Sequence, residues 1–476
     1  MNREKPVNAF DYLKLWILYG VCIVVVYFMP PVVKSPFFLA LLLIGFYSKD
    51  SSFVLAFWVI LFAEIGGLFP QTARVEGVYQ RLPVYGVGPV RMPLYDLSLL
   101  MLSIKAYFSR KVKPPIKFSL KPVLAVIIVL IVFSVVLGMG MDSYRTTIRA
   151  LLSMLTFYFF PRLISSEEEL IRIFSFLFSA VFVVAFTSLL EAVTGFKLGN
   201  LAGEVYQSAF DFREIRILNS PFLLLISFIF ATYWLYAKKN VGFKKSYLGS
   251  ILVICYFLIV LSATRGWFLA FSSMLIASFA LFLNKTHRVV TYSLPMIILV
   301  IVVFSYSPQL SNVLENVTAR LATVESLAEG DLSAGGTLSR ITIRMPRMLV
   351  KVRENPILGF GFSDEYYQYA DNHVGWVMQI LQVGIIGLFI FLALCYRFVS
   401  SNNSLVRITG EKALHVFTIA LLGLMVIHSS STAIFAFSAL GAQQEIMQLL
   451  AVLLTGHSII SSNVLRSSHT YIKEAE

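Results

Sequence analysis

The sequence predicts an all-α protein that crosses a membrane many times, and three observations predict it. The chain is 58% hydrophobic and only 14% charged, with a mean hydropathy of +0.78, whereas a soluble domain carries about 25% charged residues. The apolar residues arrive in blocks of roughly 17–24, long enough for a helix to cross about 30 Å of hydrocarbon. Lysines collect in alternate connecting segments, as the orientation bias of membrane proteins requires. A water-soluble enzyme, a disulfide scaffold and a nucleic-acid-binding domain are all excluded by this pattern.

Taken in order, the blocks give about fourteen candidate spans. They lie near 15–33, 36–48, 52–69, 93–108, 122–140, 146–163, 170–193 and 219–237. The remainder lie near 246–262, 266–283, 289–306, 374–397, 412–432 and 434–457. Met1–Lys14 is polar and the first block is followed by many others, so no cleavable signal peptide is expected. Cys22, Cys255 and Cys395 fall inside apolar blocks without the spacing of a disulfide framework or a zinc site. No internal repeat is found.

Charge sets the expected orientation. Arg110, Lys111, Lys113, Lys117 and Lys121 share one connection, and Lys238, Lys239, Lys244 and Lys245 another. Lys285 with Arg288, then Arg397, Arg407 and Lys412, continue the series. These are read as cytoplasmic, which places both termini inside. The opposite connections hold almost no lysine but many arginines: Arg74, Arg81, Arg91, Arg145, Arg149, Arg213, Arg216, Arg265, Arg320, Arg340, Arg344 and Arg347. Arginine grips phosphate oxygens with a planar, bidentate fork. The arginine-rich face, and the net charge of +13, therefore point to an anionic ligand or lipid. The alternative for any one arginine is an ion pair with a neighbour such as Glu76, Glu204, Asp211 or Glu214.

One outer connection, from about Ser307 to Asn372, is far longer than the others, and long connections are usually functional. Within it, Thr337–Glu354 reads as an amphipathic helix. Arg340, Arg344, Arg347 and Lys351 recur at i, i+4, i+7 and i+11 and share one face. Pro346 either kinks this helix or marks where its regular part begins. Such a helix could equally lie on the membrane surface.

The segment that follows is Asn355-Pro356-Ile357-Leu358-Gly359-Phe360-Gly361-Phe362, then Asp371-Asn372-His373, then Gly384-Ile385-Ile386-Gly387. It resembles the O-antigen ligase and O-antigen polymerase superfamily. That family shows an arginine, Pro-Leu-x-Gly-x-Gly, His-Asn and a Gly-x-x-Gly beginning eleven residues after the histidine. Ser262-Ala263-Thr264-Arg265-Gly266-Trp267 is similar to its Ser/Thr-Arg-Gly, and Arg216-Ile217-Leu218-Asn219-Ser220-Pro221 to its Arg…Asn-x-Pro. In motif terms the resemblance covers roughly residues 210–400. Val374 stands where the family often has Asn, and Gln382 where it often has Glu.

The resemblance implies a helical bundle of about 12–14 spans, GT-C-like, with a long periplasmic loop containing amphipathic helices. The expected organisation is residues 1–306 for the N-terminal part of the bundle, 307–373 for the periplasmic loop and 374–476 for the C-terminal spans and cytoplasmic tail. The implied reaction transfers a glycan from undecaprenyl diphosphate to an acceptor sugar hydroxyl, with inversion, in the inner membrane. His373 corresponds to the family's catalytic histidine, and Arg216, Arg265 and Arg340 to its essential arginines. The residues agree with this chemistry on their own terms. A diphosphate leaving group needs positive charge to stabilise it. A histidine with an ordinary pKa near 6.5 can accept the hydroxyl proton at neutral pH. No Asp-x-Asp motif occurs, so neither a metal nor a cofactor is expected.

Arg213, Arg344, Arg347, Asn372 and His428 are further candidates, His428 either packing or lining the acceptor path. Gly384 and Gly387 are read as close-packing positions. Trp267 and Trp376 are read as interfacial aromatics, or as surfaces for sugar stacking. Expected partners are the lipid-linked glycan, an acceptor glycolipid (a lipid-linked repeat or lipid A-core), membrane lipid and, as a candidate, a chain-length regulator; nucleic acid is not expected. The reading leans to a polymerase over a ligase because that role occurs across more envelope types. A lipid or polysaccharide transporter is the alternative of another class, but it would typically show repeats and ionisable residues near the midplane. A scaffold that only regulates chain length would not need the histidine.

Overall fold

A computed structural model describes residues 8–69, 82–87, 90–109, 121–194, 198–200, 219–238, 242–262, 264–283, 290–291, 293–294, 296–298, 315, 318, 340–436 and 443–475. The described helices, numbered in chain order, begin with α1 (Ala9–Phe28), α2 (Pro31–Tyr47) and α3 (Ser51–Leu61). A hairpin, β1 (Val84–Val87) and β2 (Val90–Pro93), leads into α4 (Leu94–Phe108). Then come α5 (Lys121–Leu137), α6 (Met141–Ser153), α7 (Thr156–Leu163), α8 (Glu167–Thr194), α9 (Pro221–Tyr236), α10 (Lys245–Leu261) and α11 (Arg265–Leu281). The last are α12 (Met345–Glu354), α13 (Asp364–Tyr369), α14 (Gly375–Thr409), α15 (His415–Ser430) and α16 (Gln443–Ala475).

The protein is thus an all-α membrane bundle, as expected. Five stretches are long and apolar enough to span: Ala9–Phe28, Glu167–Thr194, Gly375–Thr409, Lys412–Ser430 and Glu445–Ser468. Shorter apolar helices accompany them at Pro31–Tyr47, Ser51–Leu61, Ile127–Leu137, Pro221–Tyr236, Lys245–Leu261 and Arg265–Leu281. The core is centred on α9. Every residue from Phe222 to Tyr236 is buried, which is what a helix apolar all round must do. Its Phe230 packs on Phe174 of α8, with ring centroids 4.1 Å apart, and on Phe417 of α15 at 5.6 Å. Small residues set the closest crossings: Gly423 of α15 faces Met274 of α11, and Gly456 of α16 faces the Phe230 ring.

Two expected spans come out differently. The block at 146–163 is not one span, because the helix breaks between Ser153 and Thr156. The first piece, α6, carries Asp142, Arg145 and Arg149 and is amphipathic. In the block at 434–457, residues 434–436 are not helical, and the described helix runs from Gln443. Near 93–108, α4 buries Asp96, Ser98 and Lys105 among its neighbours. Asp96 pairs with Arg149 at 3.2 Å, and Lys105 Nζ donates to the carbonyls of Gly45, Phe46 and Ser48 at the end of α2. A lysine at a helix C-terminus satisfies orphaned carbonyls and opposes the dipole. Lys245 does the same for Trp234 and Leu235 at the end of α9. Arg172 ties the starts of α1 and α3 to α8 through Asp11 (3.4 Å) and Asp50 (2.7 Å). The hairpin was not anticipated, although Tyr85-Gly86-Val87-Gly88-Pro89-Val90 has the alternation and turn residues of one.

The two ends of the bundle therefore differ. Lys14, Lys49, Lys105, Lys245 and Lys412 belong to one end, with Arg172, and Arg145, Arg149, Arg265, Arg344 and Arg347 to the other, with Lys351. The candidate site occupies the arginine end.

Candidate functional site at the arginine-rich end

The site is built around a broken helix. At Gly384, φ is 64° and ψ −175°, a conformation essentially confined to glycine, so α14 consists of two helical pieces. A break frees backbone groups that must be satisfied where water is scarce. The Pro356–Gly361 segment satisfies them. Phe360 N–H donates to Leu381 O and Gly361 N–H to Gln382 O, both at 2.8 Å. Ile385 N–H donates to Pro356 O at 2.9 Å and Ile386 N–H to Ile357 O at 3.3 Å. This explains the glycines. A Cβ on Gly359 would meet Gln382 O and Gly384 N at 2.6 Å, and one on Gly384 would collide with the Ile357 carbonyl. Expected only to permit close helix packing, Gly384 instead breaks the helix. Asn355 Nδ2 closes the loop on Gly359 O at 2.7 Å, and Phe362 N–H donates to Ser134 Oγ on α5 at 2.6 Å.

That docking presents α13 and the turn ahead of α14. Asp364 takes Gly140 N–H on its carboxylate at 2.9 Å. Hydrogen bonds from the Ser143 hydroxyl and then from Gly140 N–H hold its pKa below the ordinary carboxylate range. Tyr367 meets Thr147 Oγ1 at 3.1 Å. Arg340–Arg344 forms a wide helical turn, and the regular helix starts at Met345 with Pro346 in its first turn. Pro346 thus marks a beginning, where its missing N–H costs nothing. The helix buries Met348 and Val352 against Val377, Met378 and Leu381 of α14. Its basic face turns toward the segment before His373. Arg344 pairs with Asp371 at 3.4 Å, and Arg347 donates to Gln368 O at 3.1 Å and lies over the Tyr369 ring. Lys351 bridges Glu354 and Glu365, which raises its pKa.

His373 stands exposed in the turn that follows. Asp371 Oδ1 accepts its backbone N–H at 2.9 Å while Oδ2 holds Arg344, so one carboxylate fixes both residues. His373 Nδ1 lies 3.1 Å from Ser431 O. A carbonyl only accepts, so Nδ1 carries the proton and a neutral ring keeps its lone pair at Nε2. Asn372 takes part through its backbone, its carbonyl accepting Ala433 N–H at 2.9 Å.

The Ser429–Thr432 segment, which ends α15, is the meeting point. Arg265 opens α11, and a Cβ on the next residue, Gly266, would meet Ser430 Oγ and Ser431 Cβ at 2.6 Å. Arg265 and His373 are thereby brought to the same few residues. Trp376 Nε1 donates to Ser429 Oγ at 2.5 Å and its ring meets His428 edge-on at 4.6 Å. His428 is fully buried and accepts Phe435 N–H on Nδ1 at 3.3 Å. Trp267 is buried against Phe222 at 5.1 Å, so it is neither an interfacial aromatic nor a sugar platform. The same contact brings the start of α9 beside Arg265. Asn219 and Ser220, which precede α9, are buried: Asn219 donates to Ser188 and Glu191, and Ser220 to Ala63 O.

Arg213 and Arg216 lie outside the described residues, as does the side chain of Arg340. The described part therefore joins Arg265, Arg344, Arg347, Asn372, His373 and His428 at one end of the bundle. Residues 250–392 match the family model for O-antigen ligase. The match supports the O-antigen ligase and polymerase superfamily of membrane glycosyltransferases. It takes in α10, the Arg265 motif, α12, the Gly-x-Gly loop, His373 and the break at Gly384, while His428 falls beyond it. No curated protein matches the chain. Sequence reasoning missed Asp371, whose place in an Asp-Asn pair ahead of a helix was a readable turn signal. It also missed Ser134 and the Ser431 carbonyl, contacts between distant segments that leave no local trace.

Proposed function

We propose that this chain moves a glycan from undecaprenyl diphosphate to an acceptor sugar hydroxyl, extending another lipid-linked repeat as a polymerase does. The observation that carries the proposal is His373, with Nδ1 given to Ser431 O and Arg265 brought to the same segment. His373 Nε2 takes the proton of the acceptor hydroxyl, and the oxygen attacks the anomeric carbon from the face opposite the diphosphate. The carbon–oxygen bond to phosphate breaks and undecaprenyl diphosphate leaves with the electron pair, so the configuration inverts. Arg265, Arg216 and Arg340 neutralise the charge on the leaving group, and no metal is required in this scheme. We place the site on the periplasmic side of the inner membrane and both termini in the cytoplasm, because lysines gather at the opposite end of the bundle. The description of the matched family favours a second reading, ligation of the glycan to lipid A-core.

The test supplies purified protein with an undecaprenyl-diphosphate-linked glycan and either more of that lipid or lipid A-core. A ladder of longer glycans identifies a polymerase and a single product on lipid A-core a ligase. His373→Ala is expected to lower the rate of either between about a hundredfold and ten-thousandfold, the usual worth of a general base. Full activity in that variant would sink the mechanism.

A further inference from the structure

Directly beneath the site lies an apolar cavity of about 270 Å³ between α14, α15 and α16, with α5 and α7 on its flank. Phe391, Leu394, Ala420, Leu424, Phe435 and Leu450 are among its walls. Its head is different. Gln379, 3% exposed, lines the cavity, and its Oε1 has no hydrogen-bond partner among the described residues. The Nε2 of His428, also buried, has none either. The two sit on facing helices, since Gly375, one turn above Gln379, lies against the His428 backbone and ring. A buried polar atom left without a partner is destabilising, so this pair calls for a polar group to reach it. The rings carry the cavity up to the site: Phe391 meets Trp376 at 6.3 Å and Phe435 meets His428 at 5.1 Å.

We propose that this cavity holds the prenyl chain of the lipid-linked substrate next to its diphosphate, with the Gln379 amide and the His428 ring at the junction of chain and headgroup. The proposal rests on the transferase reading above. Three observations select this occupant. The walls suit a hydrocarbon chain and offer a water-soluble metabolite nothing but the polar head. The volume suits it too, because an apolar cavity of about 150 Å³ already takes up benzene. The depth agrees as well. Gln379 lies four residues beyond Gly375, the first residue of α14, roughly 6 Å along the helix and just behind the turn that carries His373, a separation that a diphosphate linker can span.

The test uses full-length His373→Ala protein in nanodiscs, so that binding is read without turnover. The probe is a polyprenyl diphosphate carrying a diazirine in its first isoprene unit. After photolysis the label is expected on residues 387–398 and 420–435. Undecaprenyl diphosphate should displace it, and phosphatidylglycerol should not. Binding should weaken roughly fourfold for each methylene removed from the cavity. Ala420→Trp, which fills the cavity, should abolish labelling; if that variant does not fold, the label map of the unblocked protein decides. Label on other helices, or equal displacement by phosphatidylglycerol, overturns the inference. The transferase reading is judged separately, by the products of the wild-type protein, so either can fail alone.

Discussion

Asp371 shows how little separates a structural from a chemical role at the scale of a residue. One of its oxygens sets the His373 backbone and the other holds Arg344. The ion pair is partly exposed, and such pairs contribute only about 0.2–1 kcal/mol to stability. Arg344→Ala should therefore barely lower the melting temperature. If Arg344 keeps the His373 turn in place, the same variant should lose at least about tenfold in kcat/KM, with Asp371→Asn behaving alike. Equal losses of stability and activity would mean that the pair merely holds the loop. Asp364 makes a prediction about pH. Its pKa is depressed in the folded protein, so its contribution is present above the ordinary carboxylate range and is lost as pH falls through the depressed value. Thermal melts at falling pH should show an acid-side loss that Asp364→Asn removes, a small one because the group is exposed.

Among the elements, α14 carries most of the design. Its first piece presents Trp376, Gln379 and the turn bearing His373, and its second forms a wall of the cavity. The break between them exists because Gly384 adopts a backbone that other residues avoid at a cost of about 1–3 kcal/mol. Gly384→Ala should lower the melting temperature and also uncouple the Pro356–Gly361 loop, seen as faster hydrogen exchange at Phe360 and Gly361. Unchanged exchange there would show that the loop docks without the break. The neighbouring glycine, Gly387, has no left-handed backbone, but a Cβ there would come within 2.4 Å of Val383 Cβ. Gly387→Ala should cost less than Gly384→Ala, which separates close packing from backbone conformation.

For the whole molecule, the division of charge between the two ends is the property that can be tested without any substrate. With Cys22, Cys255 and Cys395 replaced by serine, Thr342→Cys should react in intact cells with a membrane-impermeant maleimide. Ser404→Cys, at the other end of the bundle, should react only after the membrane is opened. Both positions are exposed. The reverse pattern would invert the orientation and place the arginines against the cytoplasm. The same arrangement explains why a single helix end, that of α15, gathers groups from α11 and from the start of α14, whose ends lie beside it.

The amino-acid order alone dictates a helical membrane bundle, because the length and spacing of apolar blocks are local properties that hydrocarbon enforces. It also determined the order of the motifs around Arg265, Gly359 and His373, and the basic face of α12, since residues at i, i+4 and i+7 share a face wherever a helix forms. It did not determine that Gly384 breaks a span or that Trp267 is buried. Nor did it reveal that the Ser431 carbonyl sets the tautomer of His373, or that an apolar cavity opens under the site. Each of these depends on which segments lie beside one another, Pro356–Gly361 on α14 and Ser430–Ser431 on α11. Backbone carbonyls and cavities carry no side-chain signature, so only the tertiary structure could decide them.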